Sequence, residues 1–445
     1  MESRVEKVAA KARRHGDSKN PPCLRASVVS PSCARALCAF VTIASWVTAC
    51  KGSAEKAEKP EKSSISDSTN GATSAASTAS LTVGMVLVGP KNDHGWNESH
   101  FEGIKKAIAK FPDVKFDYID KVNPSDRPNS KSAQVADDLI ARGSRLVVFS
   151  SDDFKDDALE TARKHPDVPI IHISGDHAWK EGRNYKNQKN LGNIDGAAEP
   201  AKMMAGCAAA LATESGKIGY LGALANDETR RLVSSAYLGA KHCWEKYRKK
   251  PAKELTFKVT WIGFWFNIPG VTLDPTKVVD DYFSGGFDVV MSGLDTPEAA
   301  VQSKKAAEAG KRVRFTHHDF KTGCDLSPDT CLGVSYYNWM PAYRDVIRSV
   351  REGKYTGEFA WLGPDYRDVN GEDSPIGFEF GRALGDKKAV LEEFIHTLAD
   401  KSVVLHTGPL KFQDGSEFLK PGEAASPQKI WYMPQLLEGI TGKSQ

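Results

Sequence analysis

The 445-residue chain carries 60 Lys and Arg against 57 Asp and Glu, a formal charge of +3, with 40% hydrophobic residues and eight cysteines. Eight of the basic and three of the acidic residues precede Cys50, so the remainder holds 52 against 54 and carries −2. A nearly neutral body without basic runs gives no case for a nucleic-acid-binding role, and no stretch beyond the leader is long and apolar enough for a transmembrane helix.

Residues 1–49 read as a signal peptide. A basic segment with Arg25 and Arg35 runs into the apolar Ala36–Trp46 and ends in Val47-Thr48-Ala49-Cys50. The apolar run is too short for a permanent span, and small residues before Cys50 suit cleavage there, as in a bacterial lipoprotein signal with Cys50 lipidated. The rival readings are an ordinary secreted protein cut nearby, or a start further downstream. Residues 50–80 are rich in Lys, Glu, Ser, Thr, Ala and Gly, cannot bury a core, and are expected to be a flexible tether.

The folded part opens at Leu81. Val83–Val88 is a short apolar run, and Phe101, Ile104, Ile108 and Phe111 recur on one helical face. Between them Asn92, Asp93, Trp96 and Asn97 gather at the carboxyl end of a strand, with Asn97 as the expected N-cap and Glu98 in the first turn. Strands at 116–119, 146–149 and 170–173 then alternate with helices at 133–141 and 156–164, the pattern of βαβ units. Ser150-Ser-Asp152-Asp153 follows one of these strands, so either acid is a cleft candidate.

A second series continues with helix 197–212, strand 218–221, helix 228–247, strand 257–261, helix 276–283, strand 289–291, helix 296–309 and strand 313–316. The 365 residues from Leu81 exceed one comfortable core. The expected architecture is α/β, with two doubly wound Rossmann-like lobes and a ligand cleft between them. Residues 81–194 make the first lobe and 195–316 the second, each completed by part of a crossover and C-terminal segment, 317–445. Neither a Gly-x-Gly-x-x-Gly turn after the first strand nor a Walker-type loop occurs, which argues against nucleotide cofactors.

Cys23, Cys33 and Cys38 lie in the leader. Cys324 and Cys331 bracket a turn-rich loop and, in an exported protein, are expected to form a disulfide. A zinc site using His317-His318-Asp319 is the rival, but the two-residue cysteine spacing is missing, and no metal is expected. Cys207 and Cys243 fall in helical patterns and read as buried thiols.

The chain resembles the basic-membrane-protein or Med-like group of ABC-transporter substrate-binding lipoproteins, which includes purine-nucleoside receptors. The resemblance spans about Leu81 to Gly442. It is carried by Asp93-His-Gly95-Trp96-Asn97 with Gly103, Lys217-Ile-Gly-Tyr-Leu-Gly222, Gly239-Ala240, Gly285-Gly-Phe-Asp288, Asn338-Trp339 with Gly353, Gly408-Pro-Leu, Asp414-Gly, and Trp431-Tyr432 with Gly439. Each is weak alone; their order makes the signal specific.

The resemblance implies a type I periplasmic-binding-protein fold and a base stacked between aromatic rings, with sugar hydroxyls bound by Asp, Asn and Lys. Trp96 would be one ring, and Trp265 or Phe266 the other. Asn267 stands where the family commonly has Asp. Asp295 and Asp319 end second-lobe strands where the family carries ligand acids, and His318 is placed to meet a purine edge. Asn338 and Trp339 stand where nucleoside receptors carry a Lys, which leaves room for a free nucleobase. Trp361 reads as packing.

The function so implied is a lipid-anchored, non-enzymatic solute receptor of an ABC importer, without cofactor. It is expected to be a monomer in the cell envelope, facing the periplasm or exterior, with a purine-like ligand and an ABC permease as partners. Lys51 after the lipidated cysteine mildly favours outer-membrane sorting. A sensory receptor using the same cleft is the alternative. A nucleoside hydrolase is the weaker one, since neither a nucleophile elbow nor a His-Glu-x-x-His helix is found.

Overall fold

Alternation of short β-branched runs with amphipathic helices produces two parallel sheets, seen in a computed structural model that describes residues 80–444. The signal peptide, most of the tether and Cys50 lie outside the described residues. In the first lobe the order is β1 (Thr82–Val86), α1 (Trp96–Ile108), β2 (Lys115–Ile119), α2 (Ser132–Ala141), β3 (Leu146–Phe149), α3 (Lys155–Lys164), β4 (Ile170–Ile173) and β5 (Leu191–Gly196). The chain then passes to α4 (Glu199–Ala212), β6 (Lys217–Gly222), α5 (Asp227–Lys246), β7 (Thr256–Trp261), α6 (Pro275–Ser284), β8 (Val289–Gly293), α7 (Glu298–Glu308), β9 (Arg314–Asp319) and β10 (Cys331–Tyr337). It returns to the first lobe with α8 (Met340–Arg351) and β11 (Phe359–Leu362). It ends beside the second with β12 (Ile376–Phe380), α9 (Lys388–Ala399), the ribbon β13 (Leu410–Lys411) and β14 (Glu417–Leu419), α10 (Pro427–Trp431) and β15 (Ile440–Thr441).

The first sheet runs β11-β5-β4-β3-β1-β2 and the second β12-β10-β9-β8-β6-β7-β15. Every neighbouring pair is parallel except the β10/β12 pair, so both sheets present most strand carboxyl ends on one side. The chain crosses between the sheets after β5, β10 and β11. Strands such as Leu146-Val-Val-Phe149 and Ile170-Ile-His-Ile173 are buried along their whole length, as a sheet covered on both faces requires. The expected α1 face is found: Ile104 is fully buried, and Phe101, Ile108 and Phe111 pack against the same core.

Two helices of the second lobe touch backbone to backbone. A Cβ on Gly206 of α4 would stand 1.9 Å from the Ala236 carbonyl oxygen of α5, and one on Gly239 would stand 2.0 Å from that of Met203. Only glycine permits this approach. The same pair corrects the reading of two cysteines: Cys207 and Cys243 are not free thiols but a disulfide joining α4 to α5. Helical periodicity marked both as buried, but close approach of the helices set by the glycines brings the sulfurs together. Cys324 and Cys331 also form the expected disulfide.

Candidate functional site

The carboxyl ends of the strands and the helices that follow them line a pocket between the lobes, the place where open α/β sheets bind ligands. The first lobe supplies Trp96, Ser151, Asp152 and Ser174; the second supplies Tyr220, Ala223, Glu228, Thr229, Leu232, Trp261, Trp265, Gly293, Asp295, His318, Asp319 and Tyr337. Five aromatic side chains and four carboxylates dominate this wall.

Trp96 is held in place at both ends. Its indole N–H donates to the Ser150 carbonyl at 2.6 Å, and its ring meets Tyr337 edge-on at a centroid distance of 5.2 Å. Tyr337 in turn stacks on Trp339 at 5.0 Å, and Trp339 on His100 at 4.3 Å. Trp339 is therefore a buried supporting ring behind the wall, its indole N–H donating to Ser99 Oγ at 3.2 Å.

The expected N-cap is corrected by the local geometry. The helix begins at Trp96, and Asp93, not Asn97, closes its end: its carboxylate accepts from the backbone N–H groups of Gly95, Asn97 and Glu98, each at 3.0 Å. Asn97 donates to the same carboxylate at 2.7 Å and accepts from Gly89 N–H at 2.9 Å. Both side chains are spent on the loop, and Asn92 points to solvent. The loop also touches the opposite lobe. His317 Nε2 lies 2.9 Å from the His94 carbonyl oxygen, and a Cβ on Gly95 would fall 1.9 Å from that of Asp295. The lobes are closed on one another here.

Of the remaining expected residues, Asp152, Trp265, Asp295, His318 and Asp319 reach the cavity wall. Asp153 faces solvent. Phe266 turns onto Phe264 at 5.0 Å, and Asn267 is exposed and accepts from Thr272 Oγ1 at 3.0 Å. Asn338 donates to the carbonyls of Glu372 and Ser374 at 2.7 and 3.0 Å, tying a loop. Asn92, Asp93, Asn97, Phe266, Asn267, Asn338 and Trp339 thus stand off the wall: Asn92 lies in solvent, Asn267 meets Thr272, and backbone groups or neighbouring rings take the rest. Tyr220, Trp261, Glu228 and Tyr337 were missed. The signal for them was the rule that picked Trp96: three end or nearly end strands, and Glu228 opens the helix after β6.

The wall is strongly acidic. Burial, reinforced by Asp319, Asp93 and Glu228, raises the Asp295 carboxyl well above the ordinary range. Enclosure in the cleft and the nearby Asp195 do the same to Glu228, and enclosure also raises Asp152. Asp319 is paired with His318, Oδ1 to Nε2 at 2.8 Å. Behind the wall, burial lowers Lys202 to about 7 while Asp319 opposes it, and its ammonium donates to the Ser292 carbonyl at 3.2 Å. Arg231 is clamped by Asp195 at 2.8 Å and Glu199 at 2.7 Å. Among the described residues no three His, Cys, Asp or Glu side chains converge to hold a metal ion, and no helix is long and apolar enough to cross a membrane.

Residues 80–246 match the family described as ABC transporter substrate-binding protein PnrA-like. A purine-binding protein of Brucella abortus is 27% identical over 371 residues, covering 82% of this chain and 93% of that protein. A Haloferax volcanii protein whose name carries glucose binding by an ABC transporter is 24% identical over 279 residues, 62% of this chain and 63% of its own length. Among solved structures, an ABC-transporter solute-binding protein of Aeropyrum pernix K1 superposes with a TM-score of 0.57 at 15% identity, over 75% of this chain and 93% of that one. A transcriptional activator of the comK gene from Bacillus halodurans gives 0.54 at 18%, over 73% and 99%. With the sheet topology, these neighbours show the expected two-lobed type I binding-protein fold.

Proposed function

We propose, on the premise that the chain belongs to the basic-membrane-protein family of ABC-transporter substrate-binding proteins, that it is a lipid-anchored receptor delivering a purine nucleoside or nucleobase to an ABC permease. The observation that carries this reading is the closed cavity at the strand ends, walled by aromatic rings and by carboxylates that face inward. A flat heterocycle buries well against such rings, and its N–H groups, or the hydroxyls of an attached sugar, supply donors to the acids. The purine-binding relative supports the same ligand class.

Closure is the working step. The His94–His317 and Gly95–Asp295 contacts join the lobes, and opening of the cleft would break them. A ligand touching Trp96 on one lobe and Trp265 on the other favours that state by its differential affinity. Anchoring through Cys50 and a tether over residues 50–80 would keep the receptor near a permease that reads the closed form. No step of bond chemistry is required of any residue on the wall.

Thermal unfolding of residues 51–445 with purine nucleosides, nucleobases, sugars and amino acids tests the proposal. A ligand that binds only the folded chain raises the midpoint with concentration. A saturable purine shift is expected; a shift with sugars alone, after refolding to remove carried-over ligand, rejects the purine assignment.

A further inference from the structure

The charges around the cavity do not balance. Four carboxylates face it, Asp152, Glu228, Asp295 and Asp319, and no Lys or Arg lines it. The nearest basic groups are already engaged: Lys155 pairs with Asp176 at 2.8 Å, and Arg231 with Asp195 and Glu199. Lys202, buried behind Tyr220, stands against Asp319, which also holds His318. Arg231 attracts Glu228, and Lys155 and Arg231 attract Asp152, but among the described residues none of Asp152, Glu228 and Asp295 makes a direct ion pair.

Asp295 is the decisive one. Its side chain is only 6% exposed, and among the described residues no donor or cation meets its carboxylate. The carboxylates of Glu228 and Asp152 likewise have no protein partner among the described residues. A buried acceptor of this kind costs free energy unless something supplies a donor or a positive charge. No metal-holding group of side chains forms among the described residues, and the five surrounding aromatic side chains offer faces that attract cations.

We propose that the ligand of this cleft is a cation: a flat nitrogen heterocycle carrying a fixed or protonated positive charge, held over the aromatic rings with Asp295 and Glu228 as counter-ions. This rests on the reading of the cleft as the ligand site and narrows the purine class within it. A cationic ring places charge where the wall is most acidic while its flat body keeps the stacking surface. Burial, with Asp319 for Asp295 and Asp195 for Glu228, raises both carboxyls, and a bound cation would favour their ionised forms.

The test compares adenosine, N6-methyladenosine and 1-methyladenosine near neutral pH, by calorimetry on residues 51–445. The last is cationic; the second controls for the methyl group. Benzyltrimethylammonium serves as a cation without a purine. At least about tenfold tighter binding of 1-methyladenosine than of either neutral nucleoside is expected, a gap the desolvated cation–π range allows. Asp295→Asn and Glu228→Gln should each erode that gap, weakening 1-methyladenosine more than adenosine, with folding checked by the ligand-free midpoint. If a neutral nucleoside binds as tightly as the cation, the charge inference is overturned and the purine reading stands. Binding of benzyltrimethylammonium without any purine keeps the charge inference and removes the purine one. Binding of no cation at all overturns the inference.

Discussion

The loop 92–97 and the strand ends that carry Asp295 and Asp319 look alike in sequence, each a cluster of acids and polar groups beside aromatic residues. In the structure they do opposite work. Asp93 accepts four N–H groups from its own loop, so its charge is consumed in starting α1. Asp295 meets none and is left facing the cavity. An acid near a helix start is a structural device when N–H groups reach it first, and a candidate for ligand when they do not.

The largest effect should come from the point where the two regions touch. Gly95→Ala places a methyl where the Asp295 carbonyl oxygen now lies; ligand affinity should fall by about tenfold or more because closure is blocked, while the ligand-free unfolding midpoint changes little. Calorimetry and thermal unfolding together measure both. Equal loss in the two would show that the contact belongs to the fold and not to closure.

Exchanging the acids comes next. Asp93→Ala leaves the start of α1 uncapped and should cost about 2 kcal/mol of stability, read from urea unfolding. Asp295→Asn should leave the ligand-free fold as stable or more so as pH rises, because it removes a buried carboxyl that no donor meets and that is costly to ionise. If both substitutions destabilise alike, the contrast drawn between the acids fails.

The pH dependence sharpens the same contrast. Asp295 and Glu228 have raised folded-state values, so the folded chain keeps protons that the unfolded chain has already released. Their contribution to stability is therefore present at low pH and lost as pH rises above the ordinary carboxylate range towards neutrality. The stability of the wild type should fall with rising pH relative to Asp295→Asn; parallel curves would contradict it. The smallest effect is expected at Asn338. Replacing it by Ala removes two donors to loop carbonyls and should cost about 1 kcal/mol with ligand affinity unchanged in titration.

Much of the fold was legible because its signal is local. Strands such as 170–173 announce themselves by period and length, as does the helix expected at 197–212 and found as Glu199–Ala212. β5 did not, since Leu191-Gly-Asn-Ile-Asp-Gly196 carries Asn193 and Asp195 in a fully buried strand. Their partners lie far along the chain: Asn193 accepts from Ala178 N–H, and Asp195 is met by Arg231. The cavity was half legible. The strand-end rule pointed to Trp96 and Asp152, and the family resemblance to Trp265, Asp295, His318 and Asp319, but whether a polar side chain faces the pocket or backbone depends on loop geometry. That is why Asn97 and Asn338 were indistinguishable from them in one dimension.

The Arg231 clamp has a mechanical meaning. Asp195 ends the last strand of the first sheet before the chain crosses over, whereas Glu199 and Arg231 belong to the stapled pair α4 and α5 of the second lobe. Of its two ion pairs, the one with Asp195 binds the first lobe to the second at the crossover after β5, where a hinge motion about that crossover would displace atoms least. The clamp would then serve as the fulcrum of a jaw, with the bite at Gly95 and Asp295 and the arm stiffened by the disulfide between its helices.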